Sequence, residues 1–268
     1  MISTRATRGV ARRLSLALAL LPLQDCHGAD PANAIRLEDQ RFYTKGSYSA
    51  YAAPWSIFFD KSLRRGDDYL DSIVVDPAAF PRNTGIEWRW PFHHPKQKGV
   101  WGYLEVSYGN YDGGIPAEPV QPRQALDIAA LSEHVAWSGG GIATSFNLLN
   151  EFYLTREAGK PDDKVIEVGL LLHPHDRQDW EIVTGRPIGR YVEPGGRAWR
   201  VVMNGTYCMF VPDEDVHEAT IDLKAMIDFL ITSGVITGSE WFNGVAVGVE
   251  PVWGRGAVNL SEWSVDLR

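Results

Sequence analysis

The sequence predicts an all-β fold, a β-jelly-roll sandwich of two antiparallel sheets with one amphipathic helix. Short runs rich in Val, Ile, Tyr, Phe and Trp recur between clusters of Gly, Pro, Asn and Asp, which is the pattern of strands separated by turns. About a dozen such runs suggest two packed sheets. One segment has helical periodicity instead, and 268 residues without a linker-like stretch suit one large domain.

The β-forming runs locate the individual strands, and their apolar content is ample for a core. Glycine, proline, asparagine and aspartate bound most of them. In chain order we expect strands near Tyr48–Phe59, Tyr69–Val75, Gly85–Trp90, Val100–Tyr108, Ser132–Trp137, Ile142–Leu154, Lys164–His173, Asp179–Thr184, Arg197–Met203, Thr206–Val211, Phe242–Glu250 and Gly256–Leu267.

The segment from Thr220 to Ser233 is predicted to be the helix. Its apolar residues at helical spacing are Leu223, Met226, Ile227 and Leu230. Thr220 is the expected N-cap, and Gly234 is the expected left-handed residue that stops the helix. One apolar face indicates a helix packed on the outside of a sheet.

Residues 1–34 are predicted to be a secretory signal peptide. Four arginines precede a short apolar run, Leu14–Leu23, which is too short to span a bilayer as a helix. Ala32-Asn33-Ala34 has the small-residue pattern of a cleavage site, and Gly28-Ala29 is an earlier option. A disordered amphipathic start is the alternative. We therefore expect a single secreted or periplasmic domain over residues 35–268.

The charge of the mature domain restricts its partners. Cleavage after Ala34 would change the net charge from −8 to about −10, because four arginines and two aspartates are lost. An acidic surface argues against nucleic-acid and membrane partners and is compatible with a polysaccharide or oligosaccharide substrate. Cys208 would be the one remaining cysteine, so we expect a buried thiol and no internal disulfide.

We expect no cofactor, no metal and a monomer. His173-Pro174-His175-Asp176 could suggest a metal site, but its proline and loop-like setting favour a surface turn. His93-His94 before Pro95 is interpreted in the same way. Neither a glycine-rich phosphate loop nor a Ser-centred G-x-S-x-G motif occurs in the sequence.

Two glutamates within apolar, strand-like segments are the main candidates for catalysis. Burial of a charged side chain costs several kcal/mol unless it is compensated, so Glu167 and Glu250 require an explanation. Side chains alternate across a strand, so Glu167 shares its face with Gly169, and Glu250 shares its face with Gly248. These small neighbours leave a trough for a sugar ring. A lone glutamate on an open strand face is more often a solvated surface residue.

A third acid, Glu151, is predicted to face the same way. The apolar residues of its segment alternate so that Glu151 points away from the core. If its strand lies beside that of Glu167, each charge raises the other's pKa. Asn150 competes with Glu151 for this role, and the alternation favours Glu151.

The ten tryptophans form a second group of candidates. Flat indoles stack on sugar rings, although core packing explains most of them. Trp55 follows Pro54 at a loop–strand junction and is the preferred platform, with Trp101 and Tyr103 next because they share a face with Glu105. The full set of expected substrate-binding residues is Trp55, Trp101, Tyr103, Asn147, Gly169, Leu171 and Trp253.

At these residues the chain resembles glycoside hydrolase family 12, the compact jelly-roll β-1,4-glucanases and xyloglucanases. The family's E-I-M-I-W strand corresponds to the stretch from Glu167 to Leu171, and its G-T-E-P-F-x-G strand end to Gly248–Gly254. Between them, the family's S-F-V strand and D-L-K helix correspond to Cys208–Val211 and Asp222–Lys224. The family's Y-D-L-W motif falls near Leu149–Phe152, and its N-N-x-W-G motif resembles Ala52–Ser56 only through the tryptophan.

The resemblance implies a retaining hydrolase of β-linked glucan-type polysaccharide. Glu167 would be the nucleophile, Glu250 the acid/base and Glu151 the group that tunes Glu167, with carboxyl groups about 5–5.5 Å apart in a retaining enzyme. Gly169 and Leu171 replace the family's Met and Trp, so a shorter, branched or different glycan is an open alternative. A lectin-like jelly roll, which binds carbohydrate without hydrolysis, is the competing class.

Overall fold

A computed structural model describes residues 33–58, 60–92, 99–114 and 116–268 of the chain. Two short α-helices, α1 and α2, accompany the strands, and 3-10 turns occupy Trp55–Phe58 and Ala125–Asp127. In chain order the elements are β1 Ile35–Leu37, β2 Phe42–Lys45, β3 Tyr48–Ala53, β4 Leu70–Val75, β5 Thr84–Trp90, β6 Tyr103–Gly109, β7 Arg123–Gln124, β8 Leu131–Thr155, β9 Lys164–His173, α1 Trp180–Thr184, β10 Arg186–Val192, β11 Ala198–Asn204, β12 Tyr207–Pro212, β13 Glu218–Asp222, α2 Leu223–Thr232 and β14 Trp241–Leu267.

Two long strands, β8 and β14, connect the two layers of the sandwich. They pair with each other along most of their length. The first half of β14 also pairs with β6, and its second half pairs with β5. The second half of β8 pairs with β9, while its first half pairs with β13. One layer therefore has the order β2-β3-β6-β14-β8-β9-β12-β11-β10, and the other is built from β1, β4, β5, β13 and the remaining halves of β14 and β8.

The main core fills the space between these layers. It contains the apolar faces predicted by alternation, including Ile166, Val168, Leu170 and Leu172 of β9 and Val245, Val247 and Val249 of β14. Trp88, Trp199 and Trp263 are among the largest fully buried side chains. Burial of this apolar area is the main stabilising term for such a sandwich. The all-β jelly-roll prediction is confirmed.

Helix α2 begins two residues later than its predicted cap would place it. The side chain of Asp222, rather than that of Thr220, accepts the capping hydrogen bond from the backbone N–H of Ala225 at 2.9 Å. Thr220 lies in strand β13. Gly234 has the predicted left-handed conformation, with φ of 68°. The four predicted apolar residues of the helix are buried.

Other segments differ from the sequence prediction. The predicted strand Asp179–Thr184 is helix α1, capped by the Asp179 side chain. Each of the two long strands had been expected as two separate pieces, and the short or exposed strands β1, β2, β7, β10 and β13 were not predicted. Strand β10 has an exposed Arg186-Pro187 start and little apolar alternation, so its sequence carries a weak strand signal.

Cys208 is buried as predicted, and burial raises its thiol pKa to about 12. Residues 1–32 of the predicted signal peptide and the His93-His94 pair lie outside the described residues. Among the described residues, we find no helix with the length and apolarity needed to cross a membrane.

Candidate active site

Three adjacent strands, β14, β8 and β9, carry the predicted acids on one face of the layer that runs from β2 to β10. Glu250 on β14 lies opposite Asn147 on β8. Glu151, four residues further along β8 on the same face, lies between Ala246 of β14 and Gly169 of β9. Glu167 precedes Gly169 by two residues and therefore shares its face. The alternation argument from the sequence thus gives the correct face for all three glutamates.

Glu151 is the buried member of the set, with 5% of its surface exposed. Burial is the main reason that its pKa is raised well above the usual range for glutamate, and a hydrogen bond to Glu167 adds to it. The charges of Glu167 and Glu250 raise this pKa further, whereas a hydrogen bond from Tyr111 opposes the shift. The Tyr111 hydroxyl lies 2.7 Å from Glu151 Oε2. Glu151 is therefore in electrostatic contact with both other acids.

Asn150, the competing candidate, points the other way. It is fully buried and donates from Nδ2 to the carboxyl of Glu133, which also accepts from Trp263 Nε1 at 3.1 Å. This places Asn150 in the core and leaves Glu151 on the opposite face of β8, where it contacts Tyr111. Burial raises the pKa of Glu133 to about 7, so the core contains an acid of its own.

Asn147 contacts Glu250 directly. Its Nδ2 lies 3.0 Å from Glu250 Oε2, and its Oδ1 accepts from the backbone N–H of His175 at 2.8 Å. The His175 ring nitrogen Nδ1 is also 3.0 Å from Asn147 Oδ1. Asn147 was expected to bind substrate, and the structure makes it a partner of Glu250.

Tyr207 is a site residue that sequence reasoning missed. Strand β12 runs parallel to β9 and brings Tyr207 opposite Glu167. The Tyr207 ring lies over Gly169, because a Cβ at position 169 would come within 2.3 Å of the Tyr207 hydroxyl oxygen. Burial is the main reason that the pKa of Tyr207 is raised well above normal. The charges of Glu151, Glu250 and Glu167 raise it further. Because the ring lies over Gly169, which pairs with Glu151, Tyr207 is on the same face of the sheet as the predicted acids.

Three further tyrosines pack beside the acids. Tyr111 and Tyr153 are stacked, with ring centroids 5.1 Å apart and hydroxyls 3.2 Å apart. Tyr103 donates from its hydroxyl to the carbonyl of Leu149 at 3.2 Å. All three belong to a second apolar cluster on this face of the sheet. They keep water away from the acids and so explain why burial dominates the pKa of Glu151.

A cleft of about 530 Å³ extends from this group toward β3 and β2. Its aromatic lining includes Phe42, Tyr51, Trp55 and Tyr103. Glu105 also lines it, and burial raises the pKa of this carboxyl well above its usual range. Aromatic faces next to hydrogen-bonding groups are what binding a sugar ring requires.

Solved structures with this architecture identify the fold. An endoglucanase 3 of glycoside hydrolase family 12 from Trichoderma harzianum superimposes with a TM-score of 0.71, at 18% identity over 89% of this chain and 99% of that one. The chain has the fold of the family 12 glycoside hydrolases. A family 12 xyloglucanase from Bacillus licheniformis, solved with a ligand, gives 0.69 at 16% identity, covering 88% of this chain and 100% of its own.

A third structure, the catalytic domain of Humicola grisea Cel12A with a soaked thio cellotetraose, gives a TM-score of 0.67 at 15% identity over 87% of this chain and 99% of that one. In contrast, no family model matches the sequence, and no curated protein matches it. The resemblance predicted from the order of motifs is therefore confirmed at the level of the fold.

Gly169 and Leu171, which replace the Met and Trp of the family 12 motif, are both covered by other side chains in this structure. Gly169 lies under Tyr207, and Leu171 is 4% exposed within the second cluster, which also contains Ile182 of α1. The predicted role of these two residues as open cleft lining therefore needs correction. Tyr207 takes the space above position 169.

The aromatic candidates occupy different places. Trp55 lines the cleft, as does Tyr103. Trp101 instead is 3% exposed and stacks on Trp90 in the main core, with ring centroids 4.9 Å apart, so it offers no open face to a substrate. Strand β6 begins only at Tyr103, so the alternation of side chains that would place Trp101 beside Glu105 does not extend to Trp101. Trp253 is half-buried, with its ring centroid 4.9 Å from that of Phe92.

The histidines of the His173-Pro174-His175-Asp176 segment pair with aspartates. His173 Nδ1 lies 2.6 Å from Asp215, and His175 Nε2 lies 3.1 Å from Asp179. Within residues 33–58, 60–92, 99–114 and 116–268, no cluster of three or more His, Cys, Asp or Glu side chains has the geometry of a metal site.

Proposed function

We propose that this protein is a secreted or periplasmic retaining glycoside hydrolase that cleaves β-linked glucan-type polysaccharide. The observation that carries the proposal is the group of three glutamates on one face of three neighbouring strands, with the ring of Tyr207 packed over Gly169 beside them. An aromatic-lined cleft begins beside it. The shared fold with enzymes described as endoglucanases and a xyloglucanase supports the substrate class.

Glu167 is assigned as the nucleophile. A nucleophilic carboxylate must be ionised and must reach the anomeric carbon of the sugar, and Glu167 is partly exposed on the face of the sheet that carries Glu151. The raised pKa of Glu151 favours its protonated form, which can donate a hydrogen bond toward the carboxylate of Glu167. Glu151 thereby keeps Glu167 ready for attack.

Glu250 is assigned as the acid/base. It would protonate the departing glycosidic oxygen, and after the glycosyl-enzyme forms it would take a proton from the attacking water. The hydrogen bond from Asn147 Nδ2 holds one carboxyl oxygen of Glu250 in place.

Substrate binding is assigned to the aromatic cleft. Trp55, Tyr51 and Tyr103 would contact apolar faces of sugar rings, and Glu105 would hydrogen-bond to hydroxyls. Trp253 and Phe92 form a second aromatic edge beyond Glu250 on β14. A polymer bound across the sheet would then place one glycosidic bond above the three acids.

The proposal is tested by trapping the covalent intermediate. A 2-fluoro-2-deoxy-β-cellobioside with a dinitrophenyl leaving group should inactivate the protein, and mass spectrometry of the digest should find the sugar on the peptide containing Glu167. Proton NMR of the products should show retained anomeric configuration. Label on another residue, or inverted products, would contradict the assigned mechanism.

Two matched variants and a glycan panel complete the test. Glu167→Gln and Glu250→Gln should keep the fold and lower turnover of β-glucan by about 10³-fold or more, because each removes a group that takes part in the chemical step. Glu262→Gln, an exposed residue on the same long strand as Glu250, should remain active. Binding of glycans by the wild type without release of reducing ends would favour the lectin alternative.

A further inference from the structure

We propose that His175 and Asp179 are positioning residues for the general acid, because they hold the amide of Asn147 in the one orientation that directs a donor to Glu250. This inference rests on the proposed function, in which Glu250 is the acid/base. Neither residue touches the cleft lining described above. They act through Asn147, and the chain of contacts runs from helix α1 to the carboxyl of Glu250.

The orientation of the Asn147 amide follows from its contacts. The backbone N–H of His175 lies 2.8 Å from one end of the amide, and a backbone N–H can only donate. That end must therefore be Oδ1, which leaves Nδ2 facing Glu250 Oε2 at 3.0 Å. A flipped amide would bring two donors together on the His175 side and two acceptors together on the Glu250 side.

The His175 ring reinforces this orientation. Its Nδ1 is 3.0 Å from Asn147 Oδ1, which only accepts, so Nδ1 carries a hydrogen. Its Nε2 faces Asp179 Oδ2 at 3.1 Å, which fixes the rotation of the ring. The other carboxyl oxygen of Asp179 accepts from the N–H of Glu181 at 2.9 Å and caps α1. The ring is therefore held at both nitrogens.

Neighbouring charged groups are committed to other partners. Asp176 accepts from the backbone N–H of Gln178 at 2.8 Å. Arg177 and His173 both pair with Asp215. The carboxylate of Asp179 instead contacts the His175 ring. The pairing of His175 with Asp179 is thus specific within its own loop.

The consequence for Glu250 concerns which of its oxygens carries the proton. Oε2 accepts a hydrogen bond from Asn147, which favours the acidic proton on Oε1. A general acid works only when its proton points at the departing oxygen. Loss of the His175 ring would leave the backbone N–H of residue 175 as the remaining donor to Asn147 Oδ1, so the amide would be held less firmly and its hydrogen bond to Glu250 Oε2 would weaken. Proton donation would suffer more than substrate binding or nucleophilic attack.

Comparison of two leaving groups isolates proton donation. An unactivated cello-oligosaccharide needs a proton on its leaving oxygen, whereas dinitrophenolate departs without one. For His175→Ala, kcat/KM on cello-oligosaccharide should fall by about 10-fold or more, while kcat/KM on dinitrophenyl β-cellobioside should change by less than about 3-fold. Turnover of the two substrates by the wild type tests the proposed function, and the ratio of losses in the variant tests the positioning chain alone.

Two more variants separate positioning from a general structural effect. His175→Asn places a side-chain N–H near the position of Nδ1 and should restore most of the lost cello-oligosaccharide activity. His134→Ala removes a histidine that bonds to Thr220 on the opposite layer, and it should leave both activities unchanged. Equal losses on both substrates, no loss on either, or no restoration by His175→Asn would each overturn the proposal. Thermal melting of every variant should show the folded state.

Discussion

Glu151 on β8 and Glu167 on β9 lie diagonally across neighbouring strands, since Glu151 pairs with Gly169 and Tyr153 pairs with Glu167. Two carboxyls can hydrogen-bond only if they share a proton. Since burial and the nearby charges raise the pKa of Glu151, its protonated form is favoured and can donate a hydrogen bond toward Glu167.

The loss of activity on replacing Glu151 should therefore depend on whether the new side chain can still donate a hydrogen bond to Glu167. Glu151→Ala should lower kcat/KM by about 10²-fold, the usual cost of one well-placed donor. Glu151→Gln keeps an N–H toward Glu167 and should lose less. The wild type should also lose activity as the pH rises past the raised pKa of Glu151, because the donor hydrogen is then removed, and Glu151→Gln should lack this step. Equal losses in the two variants would contradict the donor role.

The packing of Tyr207 on Gly169 gives a second prediction. Gly169→Ala would place a Cβ 2.3 Å from the Tyr207 hydroxyl oxygen and 2.8 Å from a ring carbon, so the ring must move. Such overpacking typically costs about 1–3 kcal/mol of folding free energy. Chemical denaturation should record this loss, and activity should fall as the hydroxyl leaves the three acids.

A double-mutant cycle checks the cause. Tyr207→Ala in the Gly169→Ala background should recover stability, whereas Tyr207→Phe should not, because the clashing ring remains. Additive effects of the two alanine substitutions would refute direct contact. Tyr207→Phe alone removes only the hydroxyl, so it should lower kcat while leaving the melting temperature close to that of the wild type.

Glu133 should make stability depend on pH. Its pKa is about 7 in the folded protein, above the usual value of 4.5, so the folded state binds the proton more tightly than the unfolded state does. This contribution to stability is therefore largest below the unfolded pKa and is lost as the pH rises through about 7. The full loss amounts to roughly 3 kcal/mol. Glu133→Gln should remove it.

Denaturation at several pH values measures this effect. Relative to wild type, Glu133→Gln should gain stability between pH values of about 5 and 8, the range that brackets the titration. Glu262→Gln, exposed on the strand that carries Trp263, is the matched control and should keep the wild-type trend. A constant difference between Glu133→Gln and wild type at every pH would exclude Glu133 as the titrating group.

The predicted signal peptide gives a prediction about processing. Expression of the full chain in a bacterium with Sec and twin-arginine export should yield a periplasmic or secreted product that starts after Ala34 or near Gly28-Ala29. Intact-mass spectrometry of that fraction measures the new N-terminus. An uncleaved chain retained in the cytoplasm would contradict the prediction of export.

Alternation along strands predicted the faces of Glu151, Glu167 and Glu250, because a period of two is a local property of the backbone. The same rule gave the wrong face for Trp101, because Trp101 lies before the start of strand β6. Helix α1 was missed although Asp179 and Gly185 have the positions of helix-bounding residues, because the β-branched Ile182 and Val183 favoured a strand.

The remaining parts of the site depend on long-range pairing. Tyr207 reaches the acids only because β12 runs parallel to β9, which its own sequence does not reveal. His175 follows β9 and contacts Asn147 of β8. The pairing of these two strands shifts in register between Leu148 and Asn150. Such contacts join residues that are distant in the chain, so no local pattern could predict them.

Strands β8 and β14 run through both layers of the sandwich and pair throughout. The layer that would bind a glycan and the layer behind it are thus built from the same two strands. Both strands bend near Ala143 and Gly254, which have positive φ angles. The groove cannot widen by sliding one wall over the other without bending both strands. Any closure around a bound polymer must come from the loops at the rim.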